Sequence, residues 1–177
     1  VEGQAEYTWT RDGDRYEISG NAEASGFFTL FLEGRITQES SGTVTAEGLR
    51  PDRFVERRGD LPEEGLSFDW AARTVEFRRG LDSRTGTLTD TTVDWLSMIF
   101  QLAHLPPASD GTALRVYTQR RLHEYRLQVV GTEEIDLPIG RTKTLHLRRE
   151  GPLAQRRTVD VDLAISDEKN EGPFRGR

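Results

Sequence analysis

Cysteine is absent from this chain of 177 residues. Disulfide bonds, a thiolate zinc site and a cysteine nucleophile are therefore excluded. No stretch approaches the roughly 18 apolar residues that a membrane-spanning helix requires. An excess of positive charge is missing too, because the net charge is −6 and 31% of the residues are charged with both signs mixed. That charge balance argues against a protein that binds duplex nucleic acid.

The sequence also lacks the common catalytic and cofactor motifs. A Walker loop, a dinucleotide fingerprint and a Gly-x-Ser-x-Gly turn are not found. The three histidines, His104, His123 and His146, do not form a His-Glu-x-x-His pair. We therefore expect no metal site and no cofactor. Enzymatic activity is left open, with its absence favoured.

What the chain does contain is alternation of apolar and polar residues over many short segments. Ala5, Tyr7 and Trp9 alternate with polar neighbours, and an Asp12-Gly13 turn precedes the next such segment. Alternation with period two and tight turns are typical of antiparallel strands. We count about ten strands and predict a mostly β fold, namely one strongly curved antiparallel sheet in the form of a half-barrel or open barrel.

The predicted domain covers residues 1–165, and the polar tail from 166 to 177 is expected to be frayed. Within the domain, "FFTLFLEG" (residues 27–34) is apolar on both faces, which predicts that it is covered on both sides. Gly42 predicts a β-bulge, and Ala72-Arg73 predicts a tight hairpin.

One segment, Val93 to Leu105, does not alternate. It is apolar on most sides, as expected of a helix buried in the protein. Asp90 or Thr91 is the predicted N-cap, with Asp94 in the first turn, where the helix dipole favours a negative charge. Because a curved sheet needs a cover on one face, we predict that this helix acts as a plug or lid.

Several of these segments resemble a known family. "GLRPDRFVERR", "FDW", "DWLSMIFQLA", "VVGTEEIDLPIG" and "LHLRR" occur in this order in a family of exported bacterial proteins, domain-of-unknown-function family 3108. The resemblance runs from about Val1 to Ala164. It implies a curved antiparallel sheet in the periplasm or cell envelope, usually behind an export or anchor segment, and it implies no activity. The first residue, Val1 rather than Met, predicts that such a leader has been removed.

Small residues late in the second strand leave room for a ligand beneath the helix. The first functional hypothesis is therefore a module that binds an apolar or amphipathic envelope molecule, such as an acyl chain. The candidate ligand-binding residues are Tyr16, Ile18, Ala22, Ala24, Ser97 and Gln101. Ser97 has an alternative, a bond to the carbonyl one turn earlier, and Gln101 could simply join the helix to a strand.

Two other functions remain open at this stage. One is a structural or assembly role in the envelope, in which the charged rim of the sheet meets a partner protein. The other, less favoured, is a glycan-processing enzyme with two carboxylates in the groove. The expected partners are an apolar small molecule or an envelope protein, with at most peripheral membrane contact. Self-association through a sheet edge near Val159 to Ile165 is a further prediction.

Overall fold

The computed structural model describes residues 3–24, 35–104, 111–118, 121–137, 140–150, 160–164 and 174–176. The chain is mostly β with one helix, and the predicted fold class is confirmed. Thirteen strands are present in the described part: β1 Gly3–Asp12, β2 Arg15–Ala24, β3 Ile36–Thr45, β4 Gly48–Arg58, β5 Glu64–Asp69, β6 Thr74–Arg79, β7 Asp82–Thr87, β8 Thr92–Asp94, β9 Thr112–Tyr117, β10 Leu122–Leu137, β11 Gly140–Glu150, β12 Asp160–Ala164 and β13 Phe174–Gly176. The helix α1 covers Trp95–His104.

The strands form two hydrogen-bonded sheets. Sheet A has the order β13-β1-β2-β3-β4-β5-β6-β7, and sheet B has the order β12-β11-β10-β9-β8. Nearly all neighbours are antiparallel, but β8 pairs with β9 in parallel. The chain crosses from sheet A to sheet B after β7, where the side chain of Thr92 accepts a hydrogen bond from the backbone N–H of Thr89 at 2.9 Å. Sheet B curls as a half-barrel.

The core of sheet A is visible in its strand register. A row of buried residues runs across five adjacent strands, because Ile18, Ser40, Phe54, Leu66 and Phe77 are consecutive cross-strand partners. Four of the five are large and apolar, so burying this row supplies much of the hydrophobic stabilisation of the sheet. Ser40 is the exception, and its polar group needs a buried partner.

A β-bulge interrupts the pairing of β3 with β4 next to this row. The register shifts between Ser41 and Gly42, as the glycine predicted. A Cβ at position 42 would lie 2.2 Å from the backbone oxygen of Arg50, so only glycine fits this close approach of two backbones.

Two predicted turns are confirmed. Asp12 pairs with Arg15 across a two-residue turn in which Gly13 has a φ of 58°. In the hairpin around Ala72 and Arg73, Arg73 takes the left-handed region with a φ of 57°. The backbone N–H of Ala72 donates to the carboxylate of the exposed Asp69 at 2.8 Å.

The helix packs between the two sheets, in agreement with the predicted plug. Leu96 belongs to the core of sheet A, whereas Leu102 belongs to the core of sheet B. The predicted start was wrong, because Val93 lies in β8 and the helix begins only at Trp95. The predicted caps were wrong as well: Asp94 is the N-cap, and Asp90 instead forms an ion pair with Arg73 at 2.6 Å.

The two C-terminal strands are edge strands: β13 stands at one edge of sheet A, and β12 stands at one edge of sheet B. β12 pairs with β11, and it stands at the end of the order of sheet B, close to the predicted edge. The tail from 166 to 177 was predicted to be frayed, but within it Phe174–Gly176 form β13 and pair with β1. The apolar segment 27–34 lies outside the described residues, so its predicted double burial stays a prediction.

Candidate functional site

A cluster of polar side chains lies in the core where α1 begins. Asp94 is fully buried, and one of its carboxylate oxygens accepts hydrogen bonds from the backbone N–H groups of Leu96 (2.9 Å) and Ser97 (2.8 Å). The other oxygen accepts from the hydroxyl of Ser40 at 2.7 Å, and that hydroxyl lies 3.4 Å from the phenol oxygen of Tyr16. The cluster therefore connects the first turn of the helix to β2 and β3.

Ser97 completes a reciprocal cap. Its hydroxyl oxygen accepts from the backbone N–H of Asp94 at 3.1 Å and lies 3.2 Å from the carbonyl oxygen of the same residue. The second contact is the bond back to a preceding carbonyl that the sequence predicted. Mutual bonding between the N-cap and the residue three positions later satisfies backbone donors that a helix start leaves unpaired.

Burial controls the protonation of this cluster. Desolvation raises the pKa of Asp94, while hydrogen bonds from Ser97, Ser40 and Leu96 oppose that shift. Desolvation also raises the pKa of Tyr16, and the nearby Asp94 adds to the effect. All these groups are closed off from solvent, so the cluster is arranged to hold the helix in place rather than to meet a substrate.

Some of the predicted ligand-binding residues lie close together in the structure, and they form part of the packed core. Tyr16 and Ile18 are buried, Ala22 is half-buried, and the side chain of Ala24 lies outside the described residues. The Tyr16 ring stacks on Trp9 at a centroid distance of 5.3 Å. Ligand binding at these positions stays a prediction, and a ligand there would have to displace α1.

Gln101 joins the helix to a strand, which was one of the two roles predicted for it. Its side-chain oxygen accepts from the backbone N–H of Leu49, and its amide nitrogen donates to the carbonyl of Glu47 at 3.4 Å. Gly48 lies between these two partners with a φ of 128°. A Cβ on Gly48 would lie 2.0 Å from the Gln101 amide nitrogen, so the glycine makes this contact possible.

Replacing Gly48 by alanine should lower the free energy of unfolding by about 1–3 kcal/mol, because the backbone conformation is strained for an L-residue and the Gln101 contact is displaced. Urea unfolding measures the change. Gly140→Ala is the control that separates the two causes, because Gly140 has a similar φ of 116° but a Cβ there meets nothing within 4 Å. Equal losses in both variants would show that the Gln101 contact contributes nothing.

Two carboxylates face the inner side of sheet A farther along the strands. Glu56 is buried and accepts from Gln38 and from Arg58, each at 2.6 Å. Glu64 is its cross-strand partner and pairs with Arg79 at 3.0 Å. A glycan-processing enzyme needs two carboxylates in a groove, but here each is bound by a guanidinium. The arrangement joins neighbouring strands, and the enzyme hypothesis gains no support from it.

Metal-binding geometry is not found in the described part of the chain, where no three His, Asp or Glu side chains converge. His146 lies 2.5 Å from a carboxylate oxygen of Glu133 through its Nδ1 atom, and His123 stacks on Tyr125. No helix among the described residues is long and apolar enough to span a membrane.

The longest strand, β10, forms a hairpin with β11, and we call part of this hairpin the arm: residues 128–137 of β10 with 140–147 of β11. β9 pairs with β10 only as far as Leu127, whereas β10 continues to Leu137. Beyond Leu127, one edge of β10 has no strand beside it in the described part of the chain. Among the described residues, nothing pairs with the backbone donors and acceptors along this side of β10, which we call its open edge.

The arm also leaves the hydrophobic core. The core of sheet B includes Leu127 and Leu147, with Val129 and Leu145 packed against it at the base of the arm. A bulge between Val129 and Gly131 leaves Val130 without a cross-strand partner and 49% exposed. Sequence reasoning missed this edge, because strand length alone does not reveal where a neighbouring strand ends.

Asp94 in its capping role and the open edge of β10 were the two features that the sequence did not identify. The first had a usable signal, since Asp followed three residues later by Ser fits the spacing of a reciprocal cap.

Comparison with known proteins gives one further result. The model of the DUF3108 family, described as a protein of unknown function, matches residues 1–177. No curated protein and no solved structure matches the chain. The chain belongs to the DUF3108 family over its whole length.

Proposed function

We propose that this protein is an assembly component of the bacterial cell envelope that binds an extended segment of a partner protein along the open edge of β10. The observation that carries the proposal is the length of β10, which runs ten residues beyond its last pairing with β9, from Gln128 to Leu137. An added strand can hydrogen-bond to such an edge over its whole length.

Physical chemistry supports an occupied edge. A two-stranded hairpin is marginally stable in water by itself, and the outer part of the arm, from Thr132 to Asp136, belongs to neither core cluster. A third strand on the open edge would satisfy its backbone groups. Val130, exposed at the bulge, would supply an apolar contact at the base of the new pairing.

The charges of the arm indicate the kind of strand it would accept. Glu133, Glu134 and Asp136 lie on the exposed length of β10, which carries no basic residue. Arg141 on β11 lies 3.4 Å from Glu134 and 3.9 Å from Asp136. Like charges directly opposite each other destabilise a strand pair, so the acidic edge disfavours a second copy of itself and favours a partner segment with Lys or Arg.

A location in the envelope forms part of the proposal and rests on the resemblance to exported proteins. Binding of an apolar ligand, the first hypothesis from the sequence, has less support. The hydroxyl of Ser97 and the amide of Gln101, which were expected to orient a ligand, already bond to Asp94 and Leu49.

The proposal is tested with a photo-reactive amino acid at position 130, introduced into the full chain in the host bacterium. We expect a discrete crosslinked adduct that is largely lost when Glu134 and Asp136 are changed to lysine, because the reversed charges repel a basic partner. The matched control places the same reactive group at Thr8, an exposed residue of β1. Equal adducts at both positions, or an adduct that survives the charge reversal, would count against the arm.

The free protein gives a second measurement. Backbone amides of 128–137 that face the open edge should exchange with solvent faster than those of 122–127, because β9 covers only the latter. In cells or envelope extracts that contain the partner, the fast amides should become protected. Slow exchange throughout β10 in the purified protein would mean that the edge is already covered.

A further inference from the structure

Two leucines stand exposed at one end of sheet A. The described residues include four exposed large hydrophobic side chains, namely Leu61, Leu81, Trp95 and Val130. Leu81 is fully exposed and Leu61 is 47% exposed. Both lie in connections between strands, Leu61 between β4 and β5 and Leu81 between β6 and β7. We call these two connections the leucine tips.

The leucine tips adjoin each other. The backbone N–H of Gly80 donates to the carbonyl of Glu63 at 3.4 Å, which joins one connection to the other. Gly80 has a φ of 56° and is followed by Leu81 in a two-residue turn, since Arg79 pairs directly with Asp82. The turn fixes Leu81 at the extreme end of the hairpin, where its side chain is fully exposed.

Arginines surround the tips. Residues 57–64 and 78–84 contain five arginines and four carboxylates, in a chain whose net charge is −6. Several of these guanidinium groups are exposed and form ion pairs at the surface, among them Arg57 with Glu63 at 2.8 Å and Arg78 with Glu76 at 3.2 Å. Such exposed pairs are weak and are readily exchanged for other anions.

A cavity of about 280 Å³ opens beside Leu81. Its lining consists of three arginines, two carboxylates, a serine and a phenylalanine: Arg78, Arg79, Arg84, Glu64, Asp82, Ser83 and Phe77. Arg84 lies with its guanidinium carbon 4.6 Å from the ring centroid of Phe77, so its side chain is held within the cavity. The Ser83 hydroxyl donates to Glu76 at 2.8 Å, and Arg79 pairs with Glu64 at 3.0 Å. The three guanidinium groups outnumber the two lining carboxylates, and they are the donors that suit a phosphate group.

We propose that the leucine tips insert into the surface of a membrane that contains anionic phospholipids, with the surrounding arginines contacting the lipid phosphates. The shape of the site favours a lipid surface over a protein. Two protruding leucines bury far less area than the roughly 1,200 Å² of a stable protein interface, whereas a membrane accepts protruding apolar groups without a complementary pocket. Arginine side chains beside the tips can keep their charged ends at the headgroup level.

The site is independent of the arm, which lies on sheet B. Vesicle binding can therefore be tested without a protein partner. Co-sedimentation of the purified full chain measures binding to phosphatidylglycerol vesicles and, for comparison, to phosphatidylcholine vesicles. We expect binding to the anionic vesicles, and a weakening of about tenfold for Leu61→Ser and for Leu81→Ser, as the loss of one inserted leucine side chain implies. The control Val130→Ser, the same type of change at an exposed position of the arm, should bind as the unchanged protein does.

Both leucines are exposed, so their variants should unfold at the same urea concentration as the unchanged protein, which removes misfolding as an explanation. Three results would overturn the proposal: no binding to anionic vesicles, equal binding by the leucine variants, or an equal loss with Val130→Ser. Inorganic phosphate at millimolar concentration distinguishes the two sources of the anion. Insertion predicts that vesicle binding persists in its presence, and complete displacement by phosphate would show a site for the free anion instead.

Discussion

Replacing Leu96 by alanine should lower the free energy of unfolding by about 2–5 kcal/mol, the range for removal of a large buried side chain. Leu96 is fully buried where α1 packs on sheet A, and it lies in the same core as Phe54 and Leu66. The helix is held between two sheets, so the surrounding residues can collapse only partly into the space that the substitution leaves. Urea unfolding measures the change, and the slope of the free energy of unfolding against urea concentration should stay the same in both proteins.

The matched control is Leu81→Ala, which removes the same atoms from a fully exposed position. It should change the free energy of unfolding by no more than about 0.5 kcal/mol. A loss below that level for Leu96→Ala would mean that the helix contributes little to the core, and the plug would then be wrong.

Replacing Asp94 by alanine should cost about 2–4 kcal/mol, because it removes an N-cap and leaves buried donors without acceptors. The backbone N–H groups of Leu96 and Ser97 and the hydroxyl of Ser40 all donate to this carboxylate. Asp94→Asn is the informative partner variant. An asparagine oxygen can accept from both backbone groups, and its amide can donate to Ser40, whose hydroxyl then turns toward Tyr16. We expect Asp94→Asn to stay within about 1 kcal/mol of the unchanged protein.

The same pair of proteins gives a dependence on pH. Because burial raises the pKa of Asp94 above its ordinary value of 3.8, the folded state holds the proton more tightly than the unfolded chain does. This contribution to stability is fully present below pH 3.8 and is lost as the pH rises through the folded pKa. The stability of the unchanged protein minus that of Asp94→Asn should therefore fall as the pH rises from about 4. Parallel curves for the two proteins would show that the pKa of Asp94 is the same in both states.

These two predictions separate the part of the molecule that maintains the fold from the parts that are open to partners. The helix start, with Asp94, Ser97 and Ser40, uses its polar groups internally. The arm, on sheet B, instead exposes a strand edge. The leucine tips, on sheet A, expose apolar side chains. Substitutions at the helix should therefore change stability, and substitutions at the arm or tips should change binding alone.

Local pattern determined the β character of the chain, many of its turns and the existence of one helix. Alternation in β1 and β2 is a property of consecutive residues, and the side chains of a strand point to opposite faces whatever surrounds them. The Asp12-Gly13 turn and the bulge at Gly42 were predictable for the same reason, since glycine is selected by local backbone conformation or by close approach. The apolar character of the segment around Leu96 likewise required a buried helix.

Features that depend on distant residues could be decided only by the tertiary structure. Asp94 is the last residue of β8 instead of lying within the helix, because β8 pairs with β9, which comes after the helix in the chain. Small residues in one strand do not by themselves reveal free space, because side chains from other strands can fill it: a Cβ at Gly20 of β2 would lie 2.6 Å from the ring of Tyr7 in β1. Among the described residues, the pairing of β9 with β10 ends at Leu127 while β10 runs on to Leu137, and no residue of β10 encodes the length of its neighbour. The alternation of apolar and polar residues and the residues of a turn can be recognised among neighbours in the sequence. Which strand or helix packs against a given surface depends on contacts between segments that are far apart in the sequence.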